Sequence, residues 1–206
     1  MKGLLLTILV LVFVVAGCQK ESSVNGPEKS NNSSQLKASW QQAAETQGLK
    51  FISLQKQSGS ALSKTLSDTK YARVNSFTVL SIVDRYRAAG RYASIKAFLT
   101  ILPYALNENT YLTMSFDDTY MMGDVDLTFG PHGVCFNKPA LLNVEATGLD
   151  FSGFAPTDQL KLYYFNETTG VWEQMQADDI SWDFETGYLK CVNGRLPHFS
   201  RYGFTR

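Results

Sequence analysis

Apolar and polar residues alternate with a period of two along much of the second half of this chain. The clearest case is Asp126 to Val144. Leu127 and Phe129 alternate with Asp126 and Thr128, and Val134 and Phe136 resume the alternation further on. Between them, Gly130-Pro131-His132-Gly133 supplies the residue types that set turn dihedrals. Pro139 marks an edge or a strand start, and Leu141 to Val144 carries on. The stretch therefore predicts strand, tight turn, strand.

Similar runs predict strands over 77–83, 92–102, 111–116, 125–129, 134–136, 140–146, 160–165, 171–175, 180–184, 188–192 and 199–204. Asn166 to Gly170 and Glu185 to Gly187 read as glycine-ended hairpin turns. Many short strands at spacings of about 8–12 residues argue an all-β fold, here an antiparallel β-sandwich over 74–206. A segment of about 130 residues is enough for one core.

The N-terminal pattern is different. Lys2 is a short positive region, Leu4 to Val15 is an apolar run, and Val15-Ala16-Gly17-Cys18 ends it with small residues before a cysteine. The run is shorter than the ~20 residues a membrane span requires. Residues 1–17 therefore read as a signal peptide resembling that of bacterial lipoproteins. The resemblance implies that Cys18 becomes the lipidated (palmitate-type) N-terminus. Gln19 follows it, where Asp often signals inner-membrane retention, so the implied address is the bacterial outer membrane. From Gln19 to about Gln35 serine and asparagine dominate, too polar to bury a core. Trp40, Ala43, Ala44, Leu49 and Ile52 hint at a short helix, interrupted by Gly48, Gly59 and serines. Residues 18–73 thus read as a lipidated, flexible and weakly ordered tether ahead of the sandwich.

Charge and cysteine content narrow the partners. Loss of Lys2 leaves 18 basic against 19 acidic residues, which favours neither nucleic acid nor a broad electrostatic membrane contact. An oxidising compartment permits the single pairing Cys135–Cys191; two separate core thiols are the alternative.

Three patches together carry a family likeness. They are Leu99 to Met114, with Pro103, Ala105 and Leu106; Phe129 to Pro139, with Gly130-Pro131, Gly133 and Phe136; and Leu196 to Tyr202, with His198-Phe199-Ser200. In this order and spacing they resemble the ZU-type domain, the β-sandwich shared by zonula occludens protein, netrin receptors and ankyrins. The likeness covers about residues 74–206. It departs from the family at Ala89-Gly90, where paired glycines are usual, and at Tyr104, where glycine is usual. The resemblance implies a protein-binding or structural module rather than metabolic chemistry.

Several constellations remain as candidate chemistry. In some relatives His-Phe-Ser cleaves itself, which would make Ser200 the nucleophile on the Phe199 carbonyl and His198 the base. The alternative is that the tripeptide only begins the last strand. Asp117, Asp118, Asp124 and Asp126 are weak calcium candidates without EF-hand spacing. His132 reads as a turn residue, since with two histidines a catalytic metal lacks its ligand set. Tyr163, Tyr164, Phe165, Trp172 and Trp182 serve either the core or an exposed patch for glycans or a protein. No cofactor motif appears. The expectation is a non-enzymatic, lipid-anchored envelope protein that binds an envelope protein or, alternatively, a glycan.

Overall fold

A computed structural model describes residues 32–54, 65–88, 91–117 and 126–206. Cys18, Asp118 and Asp124 lie outside the described residues.

The fold is an all-β antiparallel sandwich. One sheet has six strands in the order β10-β9-β13-β6-β5-β2: Val171–Met175, Lys161–Asn166, Arg201–Thr205, Asp126–Gly130, Thr110–Asp117 and Thr65–Ala72. The other has five in the order β11-β12-β7-β4-β3: Asp179–Asp183, Tyr188–His198, Cys135–Thr147, Arg91–Ile101 and Thr78–Ala88. A small pair, β1 (Ser53–Leu54) with β8 (Leu149–Asp150), closes a corner.

Period-two alternation puts one set of side chains between the sheets. Leu80, Ile95, Leu99, Leu142 and Val144 come from the five-stranded sheet; Leu112, Met114, Phe129, Leu162 and Phe204 come from the six-stranded one. The strands predicted over 134–136 and 140–146 are one strand, β7. Pro139 falls where β7 leaves the ladder, between the pairs Cys135↔His198 and Ala140↔Leu196, so its missing N–H breaks no bond with β12. A bulge in β12 between Cys191 and Gly194 puts Asn193 at φ 51°. A Cβ at Gly194 would stand 2.7 Å from Leu162 Cδ2 of the facing sheet, so any larger residue there would push that core side chain aside.

The turn at 130–134 joins no hairpin. It carries the chain from β6 in one sheet to β7 in the other. The step from β12 to β13 crosses back beside it. The Phe199 N–H donates to Val134 O at 2.8 Å, and the Phe129 N–H donates to Ser200 O at 3.2 Å. Phe199 stacks on Phe129 (centroids 5.4 Å) and meets Phe136 edge-on (5.0 Å), while Tyr202 meets Phe129 edge-on (5.6 Å).

Two expectations are corrected. The tether does not run to residue 73. β2 is an edge strand of the six-stranded sheet, and α1 (Asn32–Thr46) lies against β10. Trp40 and Ala44 lie one turn apart on α1 and bury against Phe165 and Trp172 on the outer face of that sheet. Gly48, at φ 66°, ends the helix: the Leu49 N–H donates to Ala44 O and the Gly48 N–H to Glu45 O. The sequence hid this because α1 is too polar to fold alone and takes its apolar partner from the sheet.

Nor does Cys135–Cys191 form. Cys191 is a buried free thiol opposite Val144, whereas Cys135 pairs with His198 at the other end of β7. Nine residues of strand separate those positions, ~30 Å at ~3.3 Å per residue, against the ~6 Å between Cα atoms that a disulfide tolerates.

Docking of α1 is testable. Trp40→Ala should cost about 3 kcal/mol in denaturant unfolding and speed proteolysis within 39–52. Trp40→Phe should recover most of this, because it also removes an indole N–H that is buried without a partner among the described residues. Wild-type stability in Trp40→Ala would show the helix to be a passenger.

Candidate functional site

His198-Phe199-Ser200 is held by the paired crossovers. Phe199 is buried in the aromatic cluster. The Ser200 hydroxyl is buried and donates to Phe165 O at 2.7 Å, so its hydrogen is committed across the sheet. The His198 ring meets Tyr164 edge-on at 4.7 Å, and the Tyr202 hydroxyl donates to His198 O at 2.6 Å. Burial lowers the His198 pKa below its usual value, opposed by the Phe199 backbone and the carboxylates of Glu173 and Glu167. Glu173 is itself held, accepting from Tyr164 Oη at 2.8 Å and from Asn166 Nδ2 at 2.7 Å. Burial, then Glu173, pushes the Tyr164 phenol up to about 12. Among the described residues the only non-glycine positions with positive φ are Tyr104 and Asn193, so the Phe199-Ser200 bond has no such outlier beside it. The tripeptide is arranged as packing and hydrogen bonding; the structure gives the Ser200 hydroxyl a partner other than an imidazole.

The other candidates make no metal site. Asp117 ends β5 and Asp126 begins β6, so the two stand next to each other one step beyond the pair Phe116↔Leu127. Among the described residues no group of three or more His, Cys, Asp or Glu could hold a metal ion. His132 is exposed in its turn, with Nδ1 3.6 Å from Glu167 Oε1. Trp172 is buried beneath α1, donating from Nε1 to Trp40 O at 2.9 Å. Phe165 and Tyr164 are also buried, and Trp182 packs against the main core. Trp172 and Trp182 thus form no joint surface patch. Burial raises the Cys191 thiol to about 12, which keeps it protonated and inert.

The exposed aromatics stand elsewhere. Tyr71 on β2 and Tyr111 on β5 are directly opposite, with centroids 5.0 Å apart and exposures of 49% and 66%. Phe77, in the β2–β3 turn, is 67% exposed, and Tyr104, in the β4–β5 loop, is 62% exposed. Strand register places all four at one end of the sandwich, since Ala72 pairs with Thr110 and Thr78 with Ile101. That end is cross-tied. The Tyr104 N–H donates to Val74 O, the Val74 N–H to Asn109 Oδ1, and the Asn137 N–H to Ala105 O. Lys138 Nζ donates to Pro103 O and lies 5.8 Å from the Tyr104 ring centroid. Tyr104 itself is in the left-handed region, φ 62°, which turns its side chain into solvent. The alternation could have exposed Tyr111, but not Tyr71, whose strand it did not reveal.

Comparison with protein-family models, with curated proteins and with solved structures returns no match. Among the described residues no helix is long and apolar enough to cross a membrane.

The depressed His198 pKa has a definite sign in stability. The unfolded chain, with its histidine near pH 6.5, binds a proton that the folded chain resists, so the contribution is complete above about pH 6.5 and is lost as pH falls through the folded pKa. The thermal midpoint of the wild type should fall more between pH 7 and pH 5 than that of His198→Gln. Parallel curves would remove His198 from the acid response.

Proposed function

We propose that this chain is a bacterial envelope lipoprotein, anchored through lipidated Cys18, whose sandwich is a non-enzymatic binding module for another envelope protein. The observation that carries the reading is the rigid aromatic end formed by Tyr71, Phe77, Tyr104 and Tyr111. Large apolar rings at high exposure contribute nothing to the core, and aromatic residues are enriched at contacts between proteins. Cross-tied loops present them with little entropy left to lose on binding. Tyr104 supports the ZU-type resemblance, for it takes a left-handed conformation at the position where that resemblance puts glycine.

A glycan is the second reading. Beside the Tyr71–Tyr111 pair, on the same outer face, the hydroxyls of Thr69 and Thr113 are 2.8 Å apart. Rings next to hydroxyls suit the apolar faces and hydroxyl edges of a sugar.

Photo-crosslinking in cells separates the cases. A photoreactive amino acid at Tyr104 or Tyr111 should give one discrete protein adduct, and the same probe at Glu185, at the opposite end, should give none. Tyr104→Gly should abolish the Tyr111 adduct while keeping or raising the thermal midpoint, because glycine relieves a left-handed backbone worth about 1 kcal/mol. Retardation in polysaccharide gels, lost in Tyr71→Ala, would favour the glycan. Equal adducts at Glu185 would discard the aromatic end as the site.

A further inference from the structure

A second site lies at the side of the sandwich away from β2, where β10 leaves the six-stranded sheet and β11 joins the five-stranded one. The connection, residues 176–178, is pinned to β12: the Arg195 N–H donates to Gln176 O at 2.8 Å and the Asp178 N–H to Val192 O at 2.9 Å. Beneath it is a cleft of about 300 Å³ with walls from both sheets, Lys161 and Gln174 on one side, Ile180 and Arg195 on the other. Its volume is at the small end of ligand pockets, which run from roughly 300 to 1,000 Å³.

The lining divides by chemistry. Met175, Ala177 and Ile180 pack against the main core yet are only partly buried, leaving an apolar floor. Around it stand Lys161, Gln174 and Gln176, whose side chains have no hydrogen-bond or ion-pair partner among the described residues. The lining carries two charges. Arg195 is neutralised by Asp178, with Nη2 2.7 Å from Oδ1. The Lys161 ammonium is left uncompensated. Asp158, three positions earlier in the chain, is engaged by Arg206 at 3.2 Å.

We propose that this cleft binds a small amphipathic carboxylate. The carboxylate would accept from Lys161 Nζ and from a glutamine amide, and the apolar body would cover Met175 and Ile180. A cation would face Lys161 unpaired. A neutral ligand would leave that ammonium beside an apolar body without its counter-charge, losing the charge-assisted bond that is the strongest available in the cleft. This site is separate from the aromatic end and does not depend on the reading given for it.

The methionines make the test simple. Met175 lines the cleft, while Met114 is fully buried in the core and reports folding. Full-length protein labelled with ¹³C-methyl methionine is titrated with benzoate, and separately with benzamide as the neutral isostere. Benzoate should shift the Met175 methyl saturably and leave Met114 in place. Benzamide should bind at least tenfold more weakly. Lys161→Gln should weaken benzoate by at least tenfold with Met114 unchanged. No saturable shift, an equal response to benzamide, or full binding by Lys161→Gln with Met114 unmoved would each overturn the proposal. Should Met114 move in that variant, Lys161→Arg serves instead and should keep benzoate within threefold.

Discussion

The two sheets depend on one aromatic clasp where the chain crosses between them twice. Phe199 is wedged between Phe129 and Phe136, with Tyr202 closing the side. A sandwich is stable only if its sheets stay in register across the core, and crossing segments transmit that register. Here both crossings are joined backbone to backbone, Phe199 N–H to Val134 O and Phe129 N–H to Ser200 O. Moving either would break the other's hydrogen bond inside an apolar core, at about 1–3 kcal/mol for each buried group left unpaired. Gly130-Pro131-His132-Gly133 and His198-Phe199-Ser200 lie 68 residues apart in sequence, counted from Gly130 to His198, yet act as one structural unit.

Much of that unit was legible from the sequence, and its limits are physical. Alternation depends on one face being buried. β4, β5 and β11 were readable because their inward positions are apolar over the stretches that alternate, Ala93 to Ile101, Leu112 to Phe116, and Ile180 with Trp182. β2 was not. By its pairing with Leu112 and Met114, it turns Lys70 and Asp68 toward the inside. They stop short of the core and serve the rim: Asp68 Oδ2 accepts the Ser81 N–H at 2.8 Å, and Lys70 Nζ donates to Val79 O at 2.6 Å. Inward charges at a sheet edge defeat a hydrophobic pattern while protecting the edge. The helix was half legible, its apolar residues visible but its docking surface 125 residues away in sequence, as with Gln47 and Trp172.

The same logic governs the opposite edge. The free side of β10 would leave the Trp172 N–H and C=O exposed as a template for pairing. The Gln47 amide fills both, donating to Trp172 O at 2.9 Å and accepting from its N–H at 2.7 Å, as a neighbouring strand would. The segment that carries Gln47 therefore completes the sheet.

This reassigns the residues that first suggested chemistry. A nucleophile needs a hydroxyl free to lose its proton to a base; Ser200 spends that proton on Phe165 O. A base needs access to its substrate; His198 is packed on Tyr164. Trp172, the best ring for an exposed contact, lies beneath α1. Ser200 and Trp172 are buried and His198 is partly so, and a buried polar or aromatic group is held by the partners that satisfy it. Exposed groups without such partners remain free for a ligand. In this fold they are the rings at the β2–β5 end and the lysine and glutamines of the β10–β11 cleft, and no motif search would have chosen either set. The two surfaces proposed for binding are separate from the clasp, so either can change in sequence without disturbing the register on which the fold depends.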